Sequence, residues 1–163
     1  MSLKIRRAGP LDARPMAELL NAIIRKGGTT AFVEEVTADT LLGWFAIDPD
    51  RAVWHIAEDA GGEVLGFQSI EPRGSLPPEA CDIATFVKLG QTGLGIGSKL
   101  FAASTEAARA LGYAWINATI RADNESGLTY YQSRGFEDYA RHKDVALGNG
   151  LIVDRVSKRY DLD

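Results

Sequence analysis

The chain has 163 residues, of which 45% are hydrophobic and 25% charged, with a net charge of −4 and a pI near 5.2. This length and composition suit one globular domain over residues 1–163 and exclude a disordered chain. An acidic chain without clustered Lys and Arg is a poor nucleic-acid partner, and no apolar stretch is long enough to span a membrane.

The first predicted elements are a short strand and two helices. Residues 3–7 form the strand, and Asp12 can cap a helix with one apolar face that ends at a pair of glycines. Residues 29–36 are expected to be irregular. Thr37 then opens the second helix.

A hairpin and a further strand follow. Strands 52–58 and 63–71 flank a glycine-rich turn, and the proline-rich residues 72–78 are expected to form a surface loop. Residues 82–87 resume as a strand that leads directly into a segment rich in glycine.

This segment predicts an anion site, because glycines between a strand and a helix let backbone N–H groups approach a ligand closely. The unpaired N–H groups of the helix start add further donors. The spacing fails the dinucleotide fingerprint, since the sixth place from Gly93 is Ser98, and it fails the Walker loop. Bulky side chains at Gly95 or Gly97 are expected to block a pyrophosphate.

The remaining elements are a strand at 113–120, a helix capped by Asn124 and ended by Gly135, and two closing strands at 136–147 and 151–160. The resulting order, β-α-α-β-β-β-α-β-α-β-β, predicts a mixed α/β sheet with helices on its faces.

Two motifs in this order resemble those of the GNAT-type N-acetyltransferase superfamily. Thr92-Gly-Leu-Gly-Ile-Gly97 is similar to its pyrophosphate loop, Gln/Arg-x-x-Gly-x-Gly/Ala, with Thr92 in the Gln/Arg place. In the second motif Tyr131 follows Asn124 by seven residues, and Gly135-Phe136 ends the helix. The resemblance covers nearly the whole chain. It implies the acyl-CoA N-acyltransferase fold, a mostly antiparallel sheet with one splayed strand pair and flanking helices.

The resemblance also implies acetyl-CoA as co-substrate. The strands holding residues 86–87 and 117–118 would part to admit the pantetheine arm, and a backbone N–H near Val87 would stabilise the developing oxyanion. Asn124 is equally well explained as a plain helix cap. The implied cofactor contacts are Thr85, Phe86, Val87, Thr92, Gly93, Leu94, Gly95, Ile96, Gly97, Ser98 and Asn124.

The catalytic residues that the resemblance implies are Tyr131 and Asp82. The phenol of Tyr131 would protonate the departing thiolate, with Tyr130 as the alternative if the register is off by one. Asp82 aligns with a Glu of the branch described next and would serve as general base, unless it is merely a solvated residue at a strand start. The competing carboxylates are Glu34, Glu35 and Glu71.

Residues 29–35 and the loop containing Arg73 resemble the phosphinothricin and methionine-sulfoximine acetyltransferases. That branch implies an amino-acid-like acceptor whose carboxylate binds Arg73, although an Arg in such a loop can also be simply solvated. The expected reaction is acetyl transfer to a primary amine of a small molecule. An acyl-CoA-binding sensor and a protein-amine acetyltransferase are the alternatives.

The remaining expectations concern metals, location and assembly. Cys81 is the only cysteine and the chain has two histidines, so neither an internal disulfide nor a metal site is expected. Without a signal-peptide pattern, the chain is expected to be cytoplasmic. The branch resemblance implies a homodimer, for which the closing strands offer an edge.

Overall fold

The computed structural model describes residues 3–91 and 95–163. The predicted order of elements is confirmed, with boundaries shifted by one or two residues and a single 3-10 turn added at Pro10–Asp12. The elements are β1 Lys4–Arg7, α1 Ala13–Lys26, α2 Ala38–Ala46, β2 Val53–Glu58, β3 Val64–Glu71, β4 Ala80–Val87, α3 Ile96–Ala110, β5 Trp115–Arg121, α4 Glu125–Arg134, β6 Glu137–Ala146 and β7 Ile152–Asp161.

The strands form a seven-stranded sheet in the order β1-β2-β3-β4-β5-β7-β6. Every neighbouring pair is antiparallel except β4 and β5, which run parallel. Their ladder covers just three positions and ends at Asp82↔Asn117, although β4 continues to Val87 and β5 to Arg121. The splayed strand pair is therefore present. We call the space between residues 83–87 and 118–121 the β4–β5 gap.

Helices cover both faces of the sheet because each strand alternates its side chains between two apolar layers. On one face α1 and α2 pack over Ile56 and Phe67. On the other, α3 and α4 pack over residues such as Ile83 and Ile116. No helix among the described residues is long and apolar enough to cross a membrane.

The helix starts follow the predicted caps with one exception. Thr37 accepts a hydrogen bond from the Thr40 N–H at 3.2 Å, and Asn124 Oδ1 accepts one from the Gly127 N–H at 3.0 Å. Asp12 stands at the start of α1 but caps no N–H of that helix. Its carboxylate instead accepts from the Arg6 guanidinium at 2.8 Å and from the Gly9 N–H at 2.7 Å, which holds β1 against the 3-10 turn.

Candidate active site

Strand alternation determines which backbone groups of β4 face the gap. The Glu79 carbonyl accepts from the Ala114 N–H towards β5, and the Lys88 N–H donates to the Leu65 carbonyl towards β3. Because the intervening register with β3 runs without a shift, odd-numbered residues direct their N–H and C=O groups towards β5. Beyond the end of the ladder, the backbone groups of Thr85 and Val87 therefore face the gap.

Phe86 differs from its two neighbours in this respect. Its backbone is directed towards β3, and its ring lies on the α1–α2 face beside Phe67, at a centroid distance of 5.1 Å. Of the three β4 residues predicted to contact the cofactor, Phe86 thus has no backbone group facing the gap.

The start of α3 supplies further donors. Gly95 adopts the left-handed conformation at φ +74, which favours glycine, and the N–H groups of Ile96, Gly97 and Ser98 fall in the first helical turn, where they have no intrahelical acceptor. The side chain of Ile96 is buried in the core, so its backbone alone could contact a ligand. The predicted contacts Thr92, Gly93 and Leu94 lie outside the described residues.

Gly97 is required by packing against the protein itself. A Cβ atom there would lie 2.6 Å from Cε1 of Tyr130, and the Tyr130 hydroxyl donates to the Gly97 carbonyl at 2.8 Å. Tyr130 therefore braces the start of α3. The first obstacle to a larger residue at Gly97 is this ring, whereas at Gly95 no described atom lies within 4 Å of an added Cβ and the backbone conformation is the constraint.

A chain of hydrogen bonds runs from Tyr130 to Tyr131. The single proton of Tyr130 goes to the Gly97 carbonyl, so its oxygen must accept from the Gln68 amide, at 3.1 Å. The same Gln68 nitrogen donates to Thr85 Oγ1 at 2.9 Å, and Thr85 Oγ1 lies 2.8 Å from the Tyr131 hydroxyl. With Gln68 donating to it, Thr85 is free to donate its own proton to Tyr131.

This direction leaves the proton of Tyr131 available for a ligand. Tyr131 is 6% exposed, and burial raises the pKa of its phenol well above the usual range despite the hydrogen bond from Thr85. The phenol is thus protonated at neutral pH. It lies beside the part of β4 whose backbone faces the gap.

Asp82 lies on the opposite face of β4 and is not a solvated strand end, since β4 begins two residues earlier and Asp82 is 8% exposed. Its Oδ2 accepts from Arg73 Nε at 2.7 Å and its Oδ1 from the Asn117 amide at 2.8 Å. Tyr139 in turn donates to Asn117 Oδ1. The hydrogen bond between Asn117 and Asp82 joins β4 and β5 at the last position of their ladder.

The competing carboxylates are distributed unevenly. Glu71 lies opposite Asp82 in the ladder between β3 and β4 and is half-buried. Burial raises the pKa of Glu71; Arg73 lowers it and Asp82 raises it. Glu35 forms an exposed ion pair with Arg25, and Glu34 is exposed. Two carboxylates, Asp82 and Glu71, therefore stand together beside the gap.

Segment 29–36 is fastened across this face by side chains from the far side of the gap. Arg121 donates to the Thr30 carbonyl and Asn124 Nδ2 to the Thr29 carbonyl, each at 3.1 Å. Phe32 stacks on Trp44 at a centroid distance of 5.3 Å. Both ends of the Asn124 amide are thus engaged, one in the cap of α4 and the other on this segment.

The sequence did not predict the contacts of three side chains at the site. Gln68 is fully buried, Asn117 orients Asp82, and Arg134 donates to Ser98 at the start of α3 and lies over the Tyr130 ring. A Gln within the apolar strand β3 was the one available signal, since a buried amide requires partners. Within residues 3–91 and 95–163, no three His, Cys, Asp or Glu residues cluster as a metal site would require.

Comparison with known proteins points in one direction. The family model described as acetyltransferase (GNAT) family matches residues 16–136. An L-methionine sulfoximine/L-methionine sulfone acetyltransferase of Pseudomonas aeruginosa is 29% identical, with 100% of this chain and 96% of that protein covered. The phosphinothricin N-acetyltransferase of Streptomyces coelicolor is 27% identical, with 88% and 86% covered.

Solved structures share the fold. A GNAT superfamily phosphinothricin acetyltransferase from Sinorhizobium meliloti, solved in complex with AcCoA, has a TM-score of 0.87 at 20% identity. The alignment covers 99% of this chain and 89% of that one. At this identity the likeness supports the fold.

The contact between Gly97 and Tyr130 yields a test. We expect Gly97→Ala to lower the free energy of unfolding by about 1–3 kcal/mol, because the new methyl group must displace the Tyr130 ring. In a Tyr130→Ala background most of this cost should disappear. Chemical denaturation of the native chain, the two single variants and the double variant measures the coupling between Gly97 and Tyr130.

The matched control is Gly95→Ala, whose cost arises from backbone conformation and should be equal with or without Tyr130. An unchanged cost of Gly97→Ala in the Tyr130→Ala background would show that the ring does not impose the glycine.

Proposed function

The chain belongs to the acetyltransferase (GNAT) family, and we propose that it transfers the acetyl group of acetyl-CoA to the primary amine of a small, amino-acid-like acceptor. The predicted enzyme class, N-acetyltransferase, is confirmed at the level of the family. The observation that carries the proposal is the β4–β5 gap, which has backbone groups of Thr85 and Val87 on its wall and the Tyr131 phenol beside it.

The described residues fit acetyl-CoA at both ends of the gap. The N–H groups of Ile96, Gly97 and Ser98 have no acceptor within the helix and, with the Arg134 guanidinium beside them, suit the pyrophosphate. The outward backbone groups of Thr85 and Val87 suit an extended arm that hydrogen-bonds like a strand. A relative by fold was solved with this ligand, which supports the same assignment.

When bound, acetyl-CoA supplies the acetyl group as a thioester. The Val87 N–H would then donate to the thioester oxygen, where negative charge develops during attack. The Tyr131 phenol would give its proton to the departing sulfur, and Thr85 would hold the phenol in position by donating to its oxygen. Asp82 or Glu71 would accept the proton that the amine loses.

Asp82 and Glu71 have different surroundings, which suit them to different parts in removing the proton of the amine. Both oxygens of Asp82 already accept hydrogen bonds, which suits a residue that orients an ammonium group and stabilises its charge. Glu71 has no hydrogen bond from a described side chain and its pKa is raised, which brings it nearer to the range of a general base at neutral pH. We assign proton acceptance to Glu71, with Asp82 as its partner.

The acceptor class is supported by the relatives, two of which are named for phosphinothricin and methionine sulfoximine. A non-catalytic sensor would have no need of a phenol directed at the gap as a proton donor. A protein-amine acetyltransferase is the second alternative. Comparing the rate of acetylation of small amines with that of a peptide with a free N-terminus separates the two functions. The location in the cytoplasm stays a prediction.

The central test concerns Tyr131. We expect Tyr131→Phe to bind acetyl-CoA with little change, because the ring and its packing remain, while single-turnover acetylation slows on the order of 10²-fold. Single-turnover measurement is needed because slow product release can hide a change in chemistry.

The matched control is Tyr113→Phe, which removes a buried hydroxyl bonded to the Arg51 carbonyl at 2.7 Å, away from the gap. It should lose some stability and keep its rate. A normal rate in folded Tyr131→Phe would remove this residue from the mechanism, and Tyr130→Phe would then be the next variant to measure.

We also propose a homodimer. β6 is an edge strand, and exposed apolar side chains lie on it at Tyr139 and next to it at Leu151 and Ile152. Two register shifts interrupt its pairing with β7, so a contact through these side chains is favoured over a continuous sheet between two copies.

Light scattering should give twice the chain mass for the native chain and the single mass for Ile152→Glu, because a charge would then lie in the apolar contact. A monomeric native chain would reject the dimer.

A further inference from the structure

One half-buried cation on the acceptor side of the sheet, Arg155, has no partner among the residues that the structure describes. Arg155 stands in β7 opposite Arg121 of β5 and opposite His142 of β6. By strand alternation it shares a face with Ser157, whose hydroxyl bonds to Thr119 at 2.9 Å. That face is the one on which Asn117 contacts Asp82.

The side chain of Arg155 has no compensating contact in the described chain. Its Nε–H is buried and has no hydrogen-bond acceptor there, and it forms no ion pair with a described carboxylate. Its neighbours differ, since Arg121 pairs with Asp123 at 2.8 Å and Lys158 pairs with Asp138. A charged N–H that has lost water without gaining an acceptor is costly, so such a group points to a missing ligand.

The charges around Arg155 indicate which ligand. Burial lowers the pKa of Arg155; Asp82 is close enough to raise it, and Arg73 is close enough to lower it. The charge of Arg73 is already compensated in part, because its Nε–H donates to the Asp82 carboxylate. Within residues 3–91 and 95–163, Arg155 is therefore a cation of this face whose charge is not balanced by a carboxylate contact.

We propose that Arg155, rather than Arg73, binds the carboxylate, phosphinate or similar acidic group of the amino-acid-like acceptor. The inference deepens the proposed acetyl transfer and rests on it. A guanidinium can offer Nε–H and Nη–H together to two oxygens of such a group. The amine of the same molecule would then lie towards Asp82 and Glu71, which favour a positive charge.

Matched acceptor pairs test this directly. L-amino acids and L-phosphinothricin are compared with the corresponding neutral carboxamides or decarboxylated amines, and kcat/KM is measured for each. We expect the native chain to prefer the acidic member of a pair by about 10- to 100-fold. In Arg155→Met this preference should collapse through a higher KM, with kcat little changed and neutral acceptors unaffected. Arg155→Lys should restore part of it.

Two further variants separate Arg155 from other cations. Arg141→Met removes an exposed Arg that pairs with Asp154 on the neighbouring strand, and it should keep the full preference. If Arg73→Met abolishes the preference while Arg155→Met keeps it, the oxyanion site is at Arg73 and the inference is wrong. Thermal unfolding confirms that each variant is folded.

A binding measurement decides the matter even without turnover. Calorimetric titration of L-phosphinothricin in the presence of coenzyme A should show at least about 10-fold weaker binding to Arg155→Met than to the native chain. Equal affinity, or no binding to the native chain, overturns the assignment. Failure of the proposed function appears differently, as no thiol release from acetyl-CoA by the native chain with any amine.

Discussion

The parting of β4 and β5 beyond the contact between Asp82 and Asn117 is the constraint on which the site depends. Up to that position the two strands pair in parallel, and beyond it each continues without the other. Two backbone positions of β4, Thr85 and Val87, are thereby directed into a gap rather than into a ladder. Unpaired strand backbone is costly in a protein interior and favourable where an extended ligand can complete it. The same contact fixes the carboxylate that we place in the acceptor site.

Strand alternation then separates the two proton-handling groups. Thr85 and its partner Tyr131 lie on the α3–α4 face, whereas Asp82 and Glu71 lie on the α1–α2 face. A thioester held between the strands would thus have a proton donor on one side and proton acceptors on the other. Gln68 connects the donor side to the anion-binding end, since its amide bonds both Thr85 and the tyrosine that braces the start of α3.

The sequence permitted prediction of the order of elements and the glycine-rich helix start, because periodicity, caps and glycine spacing are local signals. Tyr131 was singled out by the resemblance to the family's second motif. The sequence did not reveal what each side chain contacts. Asp12 was expected to cap a helix and instead binds Arg6, and Gly97, which we still expect to approach a phosphate, is also constrained by its contact with Tyr130. Asn117, Gln68 and Arg155 become notable only when strands distant in sequence are placed side by side, which no local pattern encodes.

Residue-resolved amide hydrogen exchange by NMR tests the central claim, that the gap receives acetyl-CoA through the backbone of β4. The Ala84 and Phe86 amides face β3 and should exchange slowly with or without the ligand. The Thr85 and Val87 amides face the gap, and their exchange should slow markedly when acetyl-CoA is added. Slowing confined to other parts of the chain, with Thr85 and Val87 unchanged at saturating acetyl-CoA, would contradict the account.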